Sequence, residues 1–322
     1  MDIKGRSAIV TGSSSVIGIG AETARAIAAK GCNVVINYVN NEKGAEETVA
    51  ACRSYGVKSF AIKGDVSKDQ TWETILDEVD YVFHLAARAG VRGGWGNIFD
   101  AYQYDNVTST QRLLEVCRIS SRLRQFILAS TSSIYGRNPP LPTPEGADSK
   151  PQSYYAISKL ACEKLGEAYL HHFKVPITTL RFYTLYGPRQ RPDMAFHIFL
   201  RALMQDEGIT IFGDGSQTRE VTYVHDAIDA ILLSLGEDRI GRVFNIGGGT
   251  YKKLNGYLDE IENVTGLAFR RHFAPIVQGD QLHSRADLTL ARNHLGYRPQ
   301  WSLYDGLEAE YNWVRDVYRG KI

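Results

Sequence analysis

SAIVTGSSSVIGIG, residues Ser7 to Gly20, is the stretch whose reading decides the fold. Ala8-Ile9-Val10-Thr11 is an apolar run of strand length, Gly12 to Gly20 is a turn rich in glycine and serine, and AETARAIAAK (21–30) has helical character. Gly31 follows as a helix stop signal. A glycine-rich turn leading from a strand into a helix lets backbone N–H groups and the positive helix end meet a pyrophosphate. Such a turn alone is equally well a flexible connection; the strand before it and the helix after it favour the phosphate cradle.

The same alternation continues outward. Asn33–Asn37, Ser59–Ile62, Tyr81–Leu85, Phe126–Ser130, Ile177–Arg181 and Val243–Ile246 are further apolar runs, with helical segments such as 42–54 between them. Unbroken apolar strands separated by helices mark a parallel sheet covered on both faces, so an α/β, doubly wound (Rossmann) architecture is expected. After about residue 182 the rhythm changes: Pro188, Pro192, an isolated helix near 195–206 and the loop FGDGSQT interrupt it, and 250–322 is helix-rich. We therefore expect a dinucleotide-binding domain over 1–182, with later strand segments near 219–248, and a smaller α/β substrate domain mainly over 183–322.

Composition excludes several classes. Lys+Arg (37) and Asp+Glu (36) leave a net charge of +1, without the basic excess of a nucleic-acid partner. There is no membrane-length apolar run and no basic-then-apolar start of a secretion signal, so a cytoplasmic protein is expected. Cys32, Cys52, Cys117 and Cys162 are scattered and read as reduced, mostly buried thiols. His197, His225 and the pair His171-His172 have no metal-ligand spacing, so no metal is expected.

Tyr155-Ala156-Ile157-Ser158-Lys159 gives Tyr-x-x-x-Lys. Helical residues four apart share a face, so the ammonium can lie near the phenol and lower its pKa. A tyrosinate beside a hydroxyl is a general base for alcohol oxidation. With 18 tyrosines the spacing alone says little; its place about 25 residues after the run ending in Ala129-Ser130-Thr131-Ser132-Ser133-Ile134-Tyr135-Gly136 gives it weight.

These motifs together resemble the short-chain dehydrogenase/reductase family. TGSSSVIGIG departs from that family's TGxxxGxG by having five residues, Ser13 to Ile17, between the first two glycines. The resemblance implies that Gly12, Ser14, Gly18, Ile19 and Gly20 hold the cofactor phosphates. Asp65-Val66 would contact adenine, and Leu85, Ala86 and Ala87, with Tyr155 and Lys159, would lie beside the nicotinamide end. At the end of strand two, where NAD enzymes commonly place an acid for the ribose, stands Asn37, as in NADP-using acyl-carrier reductases. No arginine is placed for a 2′-phosphate, although Lys43 is nearby. NAD is the expected cofactor and NADP the alternative.

The catalytic stretch resembles the extended branch of the family, which acts on nucleotide sugars. By that match Thr131 holds the substrate hydroxyl beside Tyr155 and Ser132 touches substrate; the plain alternative for Thr131 is a strand-end capping hydroxyl. Dehydratases of the branch carry Asp-Glu after this threonine and UDP-glucuronate decarboxylases usually a Glu, whereas this chain has Ser132-Ser133. Oxidation with return of the hydride, which is epimerisation, is then the simplest outcome. Tyr183 to Phe196 (YTLYGPRQRPDMAF) resembles bacterial UDP-glucose and UDP-glucuronate 4-epimerases. That implies Thr184 and Arg191 face the sugar, with Arg191 meeting a C6 carboxylate; the plain alternative is a salt bridge from Arg191 to Asp193. Arg219 would bind the UDP phosphates and Asp280 the uridine ribose.

Residues 1 to about 70 most resemble single-domain reductases and those from about 79 the two-domain epimerases, so a chimera joined near 70–79 is one expectation and a natural divergent member the alternative. The leading expectation is an NAD-dependent UDP-glucuronate 4-epimerase. UDP-glucose/galactose 4-epimerase, an NADPH-dependent carbonyl reductase and a non-catalytic chimera stand behind it. The family implies a homodimer through a four-helix bundle.

Overall fold

The computed structural model describes residues 2–15, 18–66, 72, 75, 78–90, 95–276 and 282–319. Seven parallel strands form one large sheet. They are β1 (Ser7–Thr11), β2 (Asn33–Tyr38), β3 (Ser59–Lys63), β4 (Tyr81–His84), β5 (Gln125–Thr131), β6 (Ile177–Phe182) and, much later in the chain, β10 (Val243–Ile246). Across the sheet they lie in the order β10-β6-β5-β4-β1-β2-β3. The central strands are apolar because both faces are covered: Ile9, Ile36, Phe83, Phe126 and Phe244 are all fully buried. Register pairs Val10 with Ile36 on one side and with Phe83 on the other. The chain runs outward through β2 and β3, then returns to β4 on the other flank of β1. That reversal opens a crevice at the carboxyl ends of β1 and β4, the place where doubly wound sheets bind ligands.

Helices α1 (Ile19–Ala29), α2 (Glu42–Arg53), α3 (Phe99–Tyr102) and α4 (Ser109–Cys117) belong to this half, α3 and α4 being joined by a π turn over Gln103–Thr108. The long α5 (Tyr154–Phe173) lies against β5 and β6. Asn41 caps α2 by accepting from Gly44 N at 3.1 Å, and Ser153 caps α5 by accepting from Ala156 N at 3.2 Å.

The rest of the chain builds a second core around Phe196, Leu200, Tyr257, Leu258, Leu307 and Val314. It holds α6 (Ala195–Met204), α7 (Val224–Leu233), α8 (Leu254–Thr265), α9 (Leu303–Tyr318) and two small sheets. One of these pairs β8 (Ile209–Phe212) with β12 (Arg271–Ala274). Of the later segments expected in the first domain, β10 joins the large sheet, but β9 (Thr218–Tyr223) pairs instead with β7 (Thr184–Tyr186) and β11 (Thr250–Lys253) in the other small sheet. The four cysteines are buried free thiols. Among the described residues no helix is long and apolar enough to cross a membrane, and no cluster of His, Cys, Asp or Glu could hold a metal ion.

Candidate active site

Two glycines let three pieces of backbone close on one another. Gly12 has φ +73°, and a Cβ there would lie 2.8 Å from Ala86 N; a Cβ on Gly20 would lie 2.2 Å from Gly12 O. β1, the turn Leu85-Ala86-Ala87 after β4, and the start of α1 therefore meet as expected. No side chain caps α1 at Gly18, so first-turn amides and the helix dipole can serve an anion. Ser14 O accepts from Asn41 Nδ2 at 2.7 Å, which pins the turn to α2. Asn37 is buried and its Nδ2 donates to Gly64 O at 2.8 Å, tying β2 to the turn that carries Asp65 and Val66. Val16 and Ile17 of the lengthened turn lie outside the described residues. This open, glycine-lined helix start fits a dinucleotide pyrophosphate.

Beneath the cradle runs a buried hydrogen-bond chain. Thr11 Oγ1 accepts from Ala86 N (3.1 Å) and lies 2.9 Å from His84 Nδ1; because Thr110 spends its proton on Asn106 O, the neutral ring donates from Nε2 and Nδ1 accepts from Thr11. That assigns the ring proton to Nε2, which donates to Thr110 Oγ1 (3.0 Å), and Thr110 donates to Asn106 O (2.6 Å). Burial, helped by the Lys159 charge, pushes His84 down to about 3, so the ring is neutral. Asn106 Nδ2 then donates to Ser158 Oγ (2.8 Å) between the two catalytic candidates, and Ser158 donates to Tyr155 O (2.8 Å). Sequence reading missed this role of Asn106; the polar run Asp105-Asn106-Val107-Thr108 at the π turn was its only local signal.

Tyr155 and Lys159 stand on the first turns of α5. Lys159 is 2 % exposed, and its ammonium acts on His84. Burial pushes the Lys159 pKa down, while Cys162 and Glu163 hold it up. Burial also pushes the Tyr155 phenol above its ordinary value, opposed by a hydrogen bond with Thr131 and by the charge of Arg191. Lys159 was expected to supply lowering; the causes that act most on the phenol are burial, Thr131 and Arg191. Thr131, the last residue of β5, also donates to Ser133 Oγ (3.2 Å) and accepts from Ser133 N (3.2 Å), so it caps the turn and meets the tyrosine at once. Ser132 is buried next to it.

The loop after β7 reaches across to the cradle. Gly18 N donates to Arg189 O at 3.0 Å, and Arg189, in left-handed backbone at φ +69°, forms an ion pair with Glu22 of α1. Gly187 N donates to Glu310 Oε2 of α9 at 2.8 Å. Arg191 makes both contacts with Asp193, as the plain alternative foresaw, yet its charge reaches Tyr155. Thr184 opens β7, its backbone in register with Val221. Arg219 stands on β9, where its carbonyl accepts from Tyr257 OH at 2.8 Å. Asp280 lies outside the described residues. The structure thus gathers Thr131, Tyr155 and Arg191 into one group, with Lys159 behind it, and places Arg219 on the neighbouring small sheet.

A second buried network locks the catalytic strand. Arg181 of β6 donates through Nε (3.0 Å) and Nη2 (2.7 Å) to Glu163 of α5, and Ser130 donates to the same carboxylate. Arg181 Nη1 reaches Tyr135 OH (2.8 Å), which donates to Asn245 Oδ1 of β10 (2.7 Å).

A dinucleotide cradle facing a Thr–Tyr–Lys group at the carboxyl edge of a parallel sheet defines an enzyme that oxidises and reduces at a carbinol carbon. The sequence pattern of the NAD dependent epimerase/dehydratase family matches residues 8–247, and the chain belongs to that family. It is 41% identical over 249 residues to an uncharacterized UDP-glucose epimerase of Bacillus subtilis (strain 168), covering 77% of this chain and 78% of that one. It is 34% identical over 257 residues to a UDP-glucuronate 4-epimerase of Thermodesulfobacterium geofontis (strain OPF15), covering 78% of each. The crystal structure of UDP-glucuronic acid 4-epimerase from Bacillus cereus in complex with UDP-glucuronic acid and NAD superposes with a TM-score of 0.87 at 35% identity, over 97% of this chain and 100% of that one. The expectation of a chimera is overturned: the family pattern runs unbroken across 70–79, and one natural relative spans both halves.

Proposed function

We propose that the chain is an NAD-dependent UDP-sugar 4-epimerase, with UDP-glucuronate as first substrate. The single observation that carries this is the close approach of β1, the turn after β4 and the start of α1 that Gly12 and Gly20 permit, with Thr131 and the Arg191 charge acting on the buried Tyr155 beside it. Relatives named for this activity support the same reading. Gly12, Gly18, Ile19 and Gly20 would hold the pyrophosphate, with Ser14 bracing the turn. Asn37, Asp65 and Val66 would face the adenosine half, Leu85, Ala86 and Ala87 the nicotinamide end. Homologous epimerase structures hold NAD, and NAD is the cofactor of the reading.

A bound nicotinamide supplies a reversible hydride acceptor for C4. Tyr155 holds the proton of the sugar O4, taking it on oxidation and returning it on reduction. Thr131 orients that hydroxyl, and Lys159 holds the ribose and a positive charge under the site. Ser132 and Ser133 offer hydroxyls and no carboxylate, so nothing at this position abstracts a proton from the 4-keto sugar, and reduction on the opposite face completes an epimerisation. Thr184 and Arg191 would meet the sugar, Arg219 the diphosphate and Asp280 the uridine ribose. UDP-glucose is the second candidate, favoured by the Bacillus subtilis relative.

A homodimer is part of the proposal. Tyr104, Ile157 and Phe173 leave apolar surface exposed on the α3–α5 side, as do Trp95 and Phe99 beside Tyr154. We also propose a cytoplasmic location. The test is incubation with UDP-glucuronate and UDP-glucose, with the C4 configuration followed by NMR and the bound dinucleotide identified by native mass spectrometry. Galacturonate formation with NAD retained is expected; no C4 inversion of either sugar refutes the reading.

A further inference from the structure

Arg191 stands on the loop after β7, its charge acting on Tyr155, and the Nε–Nη2 edge of its fork is taken. Nε donates to Asp193 Oδ1 at 3.0 Å and Nη2 to Asp193 Oδ2 at 2.9 Å. This is the two-pronged fit a planar guanidinium makes with any carboxylate. The partners are two residues apart, and Met194 N donates to Arg191 O at 3.0 Å, so a single turn holds them together. Asp193 is 63% exposed and Arg191 35%. Water screens such a pair, and an exposed pair is weak. Asp193 can leave it into solvent without becoming a stranded buried charge.

We infer that Asp193 stands in for a substrate carboxylate: it occupies the Nε–Nη2 edge of Arg191 until the C6 carboxylate of a hexuronate takes that edge and displaces it. The inference rests on the reading of the site as a UDP-sugar 4-epimerase and deepens it. A carboxylated sugar then gains only the difference between two similar ion pairs. A neutral C6 hydroxymethyl group cannot compete for the fork, so its binding is blind to Asp193. Asp193 is thus a specificity-determining residue, tuning how much more tightly hexuronates are held than neutral hexoses.

The test compares the unmodified protein with Asp193→Asn and Asp193→Glu. It measures kcat and KM for UDP-glucuronate, and Ki for UDP-glucose as a competitor, which requires no turnover of the neutral sugar. Freeing the fork in D193N should lower KM for UDP-glucuronate by roughly two- to five-fold, the range an exposed ion pair can contribute. Ki for UDP-glucose should stay the same, and D193E, which keeps the competing charge, should return KM toward that of the unmodified protein. Melting midpoints check that both variants fold; Asp193 is exposed at the surface. An unchanged or raised KM in D193N overturns the inference, a raised value meaning that Asp193 orients Arg191 for the substrate. A fall of KM and Ki together also overturns it. If the unmodified protein turns over no hexuronate, the functional reading fails first, before any variant is compared.

Discussion

Replacing Glu310 by glutamine isolates a buried acid that links α9 to the substrate loop. Glu310 is fully buried; Oε2 accepts from Gly187 N at 2.8 Å and Oε1 has no partner. Burial pushes its pKa from 4.5 up to about 8, so the folded protein keeps a proton that the unfolded chain gives up. The sign follows: the contribution is complete below pH 4.5 and is lost as pH rises through about 8. The gap, at 1.36 kcal/mol per pH unit, is about 5 kcal/mol as an upper bound, of which about 3–4 kcal/mol falls between pH 5 and 8. The amide of the E310Q variant would keep an acceptor for Gly187 N and cannot ionise. Calorimetric melting of the unmodified protein and E310Q at pH 5, 6, 7 and 8 should therefore give nearly equal midpoints at pH 5. The two should diverge as pH rises, with the variant ahead at pH 8 by about 5 °C. Parallel profiles, or a variant that is the less stable at pH 8, would refute the reasoning.

Tyr155→Phe should lower kcat for C4 inversion by roughly 10²–10⁴-fold while bound dinucleotide and melting midpoint stay as they were, since only the proton carrier is removed; turnover assays and native mass spectrometry check this. Glu163→Ala strands Arg181 in the interior and should cost about 3–5 kcal/mol in denaturant unfolding. His84, held down to about 3 in the fold against 6.5 in an unfolded chain, contributes stability that is present above pH 6.5 and lost as pH falls toward 3. Acid titration should show a slope of up to about 1.4 kcal/mol per pH unit that His84→Asn lacks. Gly20→Ala drives a Cβ onto Gly12 O and should yield protein that purifies without dinucleotide, read from its absorbance and mass.

What the sequence discloses is what is local. The strand–turn–helix at Ser7 to Gly20 and the Tyr-x-x-x-Lys spacing are legible because each depends on neighbours within a few residues. The partners of Glu310 and Glu163 are not, because Gly187 lies 123 positions from the first and Arg181 belongs to another strand than the helix of the second. Nothing near Glu310 distinguishes it from the solvated acids elsewhere on a helix. β9 escapes the large sheet for a similar reason: Thr218–Tyr223 reads as a strand in any sheet, and only its pairing with β7 and β11 says which. The chimera expectation failed because it compared halves separately, whereas the family pattern spans residues 8–247 and a relative's structure covers 97% of the chain.

The contacts of Gly18 with Arg189, Arg189 with Glu22 and Gly187 with Glu310 tie one short piece of backbone both to the start of α1, the proposed dinucleotide cradle, and to α9. An engineer who swaps residues 187–194 for those of a relative to change sugar preference will therefore also be editing the grip on the dinucleotide. The graft should travel with the residues at positions 22 and 310, or the new enzyme will fail through lost cofactor and be misread as a failure of sugar recognition.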